Sequence, residues 1–547
     1  METTFVPALR SAAELAGSLG LEPDEVQSYG DSAAKIELSA IDRLSAEPSG
    51  RIVSVTAMTP TKFGEGKTTT AISLVEGLGL LGERPILCLR EPSLGPVFGI
   101  KGGGTGGGRA QVVPMEQINL HFTGDIHAIG AANNLLAAMI DAHLMQGNEL
   151  GLDPHSISWR RCLDMDDRVL REIVVGLGPR VNGNPRETGF DITAASEVMA
   201  IVAVARDLAD LRERLGAITV GSTFEGAPVT AEQIGAAGSM TVLLKEALKP
   251  NLVQTAEGQP ALVHCGPFAN IAHGNNSIVA DLLALKLGDW IVTESGFGTD
   301  MGFEKFVDIV CRKAAIAPSV VVLVATIQAL KHHGGGIDGG VDALERGVDN
   351  LRANLNIIRS FGLPCVIAVN RFPGDSAGDI DAATRLASEL DAEGVAVNSG
   401  FEEGGSGGVA LAEAVVEAAA ISSTPSFLYP LDDPIEQKIA AIATRAYGAA
   451  GVELSPTARA QADAFEQAGL GRLPICMAKT HLSLSHDPAL IGAPAGFTLP
   501  VRELRAYTGA GWIVAICGDM QTMPGLGKSP AAFEIDLGPD GRTVGLF

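Results

Sequence analysis

The chain has 547 residues and a mass of 56.5 kDa, more than one core can serve; at ~100–200 residues per domain it predicts three or four domains or subdomains. Hydrophobic residues at 46% and charged residues at 19% exclude a disordered chain, and 66 clustered glycines point to glycine-built loops rather than collagen. Against 64 Asp and Glu stand 40 Lys and Arg, a net charge of −24 that repels phosphate backbones and anionic lipid; with aromatics at 5%, neither nucleic acid nor a membrane is an expected partner.

Residues 1–50 form a polar, Glu- and Ala-rich lead-in that reads as helix, with apolar residues at mixed spacing over Ile36–Ile41. Arg51–Ala57 is a strand by its β-branched content, Thr68–Leu81 continues as a helix, and Pro85–Leu89 is the next buried strand. This βαβ opening predicts a parallel sheet. Strand-like runs recur at Gln259–His264, Trp290–Thr293, Ser319–Thr326 and Pro364–Asn370, with helical stretches at Ala194–Leu211 and Val341–Phe361. The alternation predicts a doubly wound α/β domain. Two prolines flank an apolar run at Pro425–Pro430, and the tail from about 430 reads as a smaller α+β unit. Seven cysteines (Cys88, Cys162, Cys265, Cys311, Cys365, Cys476, Cys517) show no C-x-x-C pair, and several lie in apolar runs. They read as reduced packing residues of a cytoplasmic protein. No basic-then-apolar leader opens the chain and no window approaches ~18 apolar residues.

Between the first strand and the first strong helix lies Thr59-Pro60-Thr61-Lys62-Phe63-Gly64-Glu65-Gly66-Lys67-Thr68-Thr69. Backbone N–H groups at a helix N-terminus can cradle a triphosphate there. Gly64 and Gly66 let the backbone approach, Lys67 neutralises β/γ oxygens, and the Thr68 hydroxyl holds Mg²⁺. The expected nucleotide contacts are therefore residues 61–69, including Thr61, Lys62, Phe63, Glu65 and Thr69. The common pattern has Gly where this chain has Thr61, so the motif is a variant; the plain alternative is a Gly-rich turn with a surface lysine.

The belt Gly99-Ile100-Lys101-Gly102 to Gly108-Arg109 has six glycines in seven residues and reads as loop, either a linker or part of a ligand site at the carboxyl end of the sheet. Arg90 and Lys101 beside it suit a second anion. Asn119 to His127 packs His121, Asp125 and His127 together; a metal site and a polar substrate wall are both open. Lone histidines such as His155 read as surface or core residues.

These segments, together with VVPMEQINLHFTGDIHAI, LDMDDRVLRE, GFDITAASEVMAI, GPFANIAHG, TESGFG, VNRFP, PICMAKT and MPGLGKSPAA, resemble formate–tetrahydrofolate ligase, in order from about residue 30 to the last residue. The resemblance implies a P-loop-containing, mostly parallel sheet in a large domain at 1–350, a second α/β unit at 351–430 lining a folate cleft, and an α+β unit at 431–547. It also implies a homotetramer, ATP with Mg²⁺ and room for a monovalent cation (K⁺ or NH4⁺), and the conversion of ATP, formate and tetrahydrofolate, with or without a polyglutamate tail, to ADP, phosphate and 10-formyltetrahydrofolate. Formate is a poor acyl donor, so a formyl phosphate is the expected intermediate, positioned by cations rather than by covalent catalysis.

By the same resemblance Lys67 and Arg90 serve the phosphoryl side, Arg90 clamping the formyl phosphate through its fork. Asp125 binds the folate amine or assists its deprotonation. The pterin stacks between two aromatics, matched here by Phe372 and by Phe401, which stands where a tryptophan is usual. Arg109 replaces the belt's final tyrosine, Glu403 a lysine, Ser406 a glutamate, Cys265 a glycine and Asn275 a cysteine. Two other readings use the same loop: an ATP-dependent ligase for another carboxylate, and a non-catalytic nucleotide-binding paralogue.

Overall fold

The computed structural model describes residues 9–62, 64–99, 104–518 and 520–546. Its centre is one 12-stranded mixed sheet. In chain order the strands are β1 (Val26–Tyr29), β2 (Ala33–Ile36), β3 (Arg51–Ala57), β4 (Pro85–Leu89), β5 (Gly106–Gly107), β6 (Ala110–Val113), β7 (Asn251–Thr255), β8 (Pro260–Val263), β9 (Trp290–Glu294), β10 (Pro318–Thr326), β11 (Cys365–Asn370) and β12 (Gly394–Asn398). The main path runs β1-β2-β7-β8-β4-β9-β3-β10-β11-β12, with β6 beside β7 and β5 beside β6. From β8 to β12 every neighbour is parallel; β1, β2, β7 and the β5–β6 pair extend it antiparallel.

The parallel strands are mostly apolar and buried because both faces are covered. In β10, Val320, Val322 and Val324 enter the core on one face, while Val321, Leu323 and Ala325 enter the core on the other. The first face is covered by α1 (Lys67–Leu80) and by a helix at Gly405–Ala418. These two approach so closely that a Cβ on Gly408 would lie 2.1 Å from the Ser73 carbonyl oxygen. The opposite face carries α2 (Asp125–Met145) and α3 (Gly340–Ser360). The buried residues of the tail, which has its own three-stranded sheet of Ile475–Ala478, Trp512–Ile516 and Glu503–Tyr507, join that same core.

Several expectations are corrected. The lead-in is not all helix: Val26–Tyr29 and Ala33–Ile36 form a hairpin, and Lys35 and Ala34 pair with Asn251 and Leu252. The expected helix at 194–211 is two, Glu197–Val204 and Leu208–Ala217; Asp207 breaks it by accepting the Asp210 N–H as an N-cap. The belt is not loop throughout, since Gly106–Gly107 pairs with Ala110 and Gln111 as a short strand; strand pairing needs only backbone groups, which glycine supplies. Lys101 lies outside the described residues. α3 spans residue 350, and strands before and after that helix belong to the main sheet.

Candidate active site

Strand order decides which chain segments meet at the carboxyl edge. β3 lies between β9 and β10, and β4 lies beyond β9, so the loops after β3, β4, β9 and β11 converge although they are distant in sequence.

The loop after β3 turns into α1 through Gly64 (φ +80°) and Gly66 (φ +66°), a left-handed backbone that a Cβ would strain. Gly66 also has no room, because a Cβ there would lie 2.4 Å from Asn370 Nδ2 and 3.0 Å from the Phe372 ring. Thr61, the departure from the usual glycine, donates its N–H to Glu65 Oε1 at 2.6 Å, and Glu65 Oε2 accepts the Thr326 hydroxyl at 3.0 Å. The buried Glu65 carboxylate thus braces the loop against β10. At its start the loop is tied to α3, where Asn350 Nδ2 donates to Thr59 Oγ1 at 2.9 Å. His333 bonds the Thr59 carbonyl oxygen at 2.8 Å. Burial holds His333 down to about 4, so the ring is neutral and donates from Nε2. Phe63 lies outside the described residues; Lys62 is exposed and Thr69 buried.

Lys67 begins α1 and is half-buried. Burial lowers its ammonium below the ordinary lysine value, opposed by Glu294 and Glu65 and reinforced by Arg90. Beside it, Thr68 donates its hydroxyl to Glu294 Oε2 at 2.5 Å, and Arg90 Nη2 lies 3.3 Å from Glu294 Oε1. Glu294, at the end of β9, was not singled out by sequence reasoning; an acidic residue closing a buried strand beside the loop strand was the available signal. Its backbone is held in turn, as Asn275 Nδ2 donates to the Glu294 carbonyl oxygen at 3.3 Å and to Ser295 Oγ at 3.0 Å. Cys265, the other departure in that segment, sits at φ +56°, a left-handed position suited to glycine.

Phe372 and Phe401 come together from the ends of β11 and β12, with ring centroids 6.5 Å apart and planes at 46°. This spacing and tilt leave no room for a flat ring between them, which needs about 7–8 Å and near-parallel planes, from two contacts of ~3.5–4 Å. The belt lies on this pair, with the Arg109 N–H donating to the Phe401 carbonyl oxygen at 2.9 Å. Asn370 joins the two sides, its Nδ2 donating to the Glu65 carbonyl oxygen at 3.3 Å while its Oδ1 accepts from Asn398 Nδ2 at 2.8 Å. A third aromatic, Phe297, holds a left-handed φ of +60° and stacks on His481 at 4.3 Å.

Asp125 is remote from the Lys67 loop but not from Arg90, because burial and then the Asp125 charge push the carboxyl of the adjacent Glu91 well above its usual range. Asp125 forms a buried ion pair with Lys35 at 2.8 Å and accepts Asn251 Nδ2 at 2.8 Å. Three strands, β8, β4 and β9, separate β7, which begins at Asn251, from β3, roughly 19 Å at ~4.8 Å per strand. His121 and His127 are exposed, and no group of three His, Cys, Asp or Glu side chains able to hold a metal occurs among the described residues.

The family model for formate–tetrahydrofolate ligase matches residues 5–547. A formate–tetrahydrofolate ligase of Roseiflexus sp. (strain RS-1) is 54% identical over 98% of both chains. That of Saccharopolyspora erythraea is 54% identical over 100% of this chain and 99% of its own, and that of Desulforamulus reducens 52% identical over 98% and 97%.

Proposed function

We propose how this protein, which belongs to the formate–tetrahydrofolate ligase family, divides its reaction among the residues of the cleft. Membership makes it an enzyme that ligates formate to tetrahydrofolate at the expense of ATP. In our reading a formate oxygen attacks the γ-phosphorus, ADP leaves, and the formyl phosphate so formed is attacked at its carbonyl carbon by the folate amine, with phosphate as leaving group and loss of the amine proton. The original formate oxygen leaves in the phosphate.

Lys67 and the N–H groups at the start of α1 bind the β- and γ-phosphates, and Arg90 clamps the formyl phosphate. Mg²⁺, held through Thr68, supplies charge neutralisation on the transferring phosphoryl group; the hard oxygens of Thr68 and Glu294 fit that ion. Phe372 and Phe401 offer ring faces to the pterin after parting from each other. Asp125, tied to Lys35 and Asn251, binds the folate amine or assists its deprotonation. The observation that carries the reading is the meeting of Lys67, Thr68, Arg90 and Glu294 at one sheet edge with Phe372 packed on Gly66. A homotetramer in the cytoplasm completes the proposal; seven buried free cysteines support the location, and no described helix is long and apolar enough to cross a membrane.

The test is positional labelling. Formate carrying ¹⁸O should deliver one label to inorganic phosphate only when ATP and tetrahydrofolate are both present; label confined to the formyl group would overturn the intermediate. Omission of tetrahydrofolate or replacement of formate by other carboxylates in the same assay excludes the alternative ligase.

A further inference from the structure

Glu294 stands between two groups that serve different anions. One oxygen accepts the Thr68 hydroxyl at 2.5 Å, and the other faces the Arg90 guanidinium at 3.3 Å. Its side chain is 8% exposed and that of Arg90 27%, so neither charge is well solvated, and Arg90 and Lys67 both offset the Glu294 carboxylate. Arg90 Nε is buried with no hydrogen-bond partner, so the guanidinium has an unfilled donor for an incoming anion. Hydroxyl and carboxylate oxygens are the donors Mg²⁺ takes alongside phosphate oxygens. Charge that the Glu294 carboxylate gives to a metal through one oxygen is withdrawn from the other, so metal binding weakens its ion pair with Arg90.

We propose that Glu294 is shared, turning toward metal-bound nucleotide and thereby releasing Arg90 to take formate and then formyl phosphate. Loading is then cooperative. By linkage, the factor by which metal–nucleotide raises formate affinity equals the factor by which formate raises metal–nucleotide affinity. The device rests on the assignment of the Lys67 loop to nucleotide.

Calorimetry on the full chain tests it, using a non-hydrolysable ATP analogue with Mg²⁺ or with EDTA, followed by formate. The wild type is expected to bind the analogue more tightly with Mg²⁺ and to bind formate at least ~5-fold more tightly once analogue and Mg²⁺ are present. In Glu294→Gln the metal-free affinity should stay within about twofold, the gain from Mg²⁺ should fall by ~10-fold or more, and formate affinity should no longer respond to nucleotide. Glu294→Asp keeps the charge but is one methylene too short to reach both partners. It should retain the gain from Mg²⁺ and lose the coupling, and it decides the matter if the Gln variant does not fold. An unchanged gain from Mg²⁺ in Glu294→Gln, or a wild-type formate affinity indifferent to nucleotide, overturns the sharing alone. A wild-type chain that binds no analogue overturns the nucleotide reading and this inference with it.

Discussion

Around the glycine loop before α1, side-chain contacts tie it to other elements: Glu65 reaches Thr326 on β10, Asn350 reaches in from α3, and Glu294 joins Thr68 to Arg90. Around the aromatic pair the constraints on Phe401 are mostly backbone ones, the Arg109 N–H on the Phe401 carbonyl and the close approach of Gly108. The contrast fits the two tasks proposed for these regions. Stabilising a transferring phosphoryl group depends on cations and N–H groups fixed before reaction, whereas a ring face works from any orientation the ligand can slide into. The first half therefore tolerates little substitution, and the second can exchange one aromatic for another.

The comparison breaks most easily at Lys67. Lys67→Ala should lower kcat by ~10²–10³ with an unchanged or higher melting temperature, since a desolvated ammonium is removed along with a transition-state cation. Near-normal turnover in a folded variant would mean that the loop is not the phosphate site. On the aromatic side the effect should be smaller and confined to folate. Phe401→Ala should raise the KM for tetrahydrofolate by roughly 2- to 10-fold, the equivalent of ~0.5–1.5 kcal/mol, and Phe401→Trp should lower it, with the KM for ATP unmoved. If both constants shift together, the two halves are not separable in this way.

The seam between them offers a pH test. Burial, with Glu257 nearby, pushes Glu76 on α1 up to about 8 from 4.5, and Glu257 Oε1 accepts the Gly405 N–H at 2.9 Å. The folded chain thus holds a proton that the unfolded chain releases, so this group's stabilisation is intact below 4.5 and is lost as pH rises through about 8. Glu76→Gln should gain on the wild type in melting temperature across that window, with no difference in acid; a parallel offset at every pH would assign the effect to packing instead. Smallest of all, Cys265→Gly should raise stability by up to about 1 kcal/mol by relieving a left-handed backbone, while the same change at the strand residue Cys88 should lower it, as paired chemical denaturation would register.

Much of this was legible in the sequence where the signal is local. β3, the glycine loop, α1 and β4 were readable because β-branched and apolar segments flank the glycines, and Lys67, Thr68 and Arg90 fall at the ends of those segments. The Ala33–Ile36 strand was not, because two alanines and a buried lysine carry no strand pattern, and its place in the main sheet comes from Asn251 and Leu252, over 200 residues away. Glu294 escaped for a similar reason: its neighbours are set by the order β4-β9-β3, which periodicity does not encode. The aromatic pair was identified by resemblance, but its closed geometry depends on side-chain orientations that spacing cannot supply.

Phe297 carries a consequence for anyone seeking a hardier version of this enzyme. An aromatic residue at φ +60° costs on the order of 1–3 kcal/mol that glycine would not, yet its ring lies against His481 beside the acidic end of β9. A screen scored only by heat resistance should therefore recover Phe297→Gly early, and with it chains that survive boiling better than they turn over substrate.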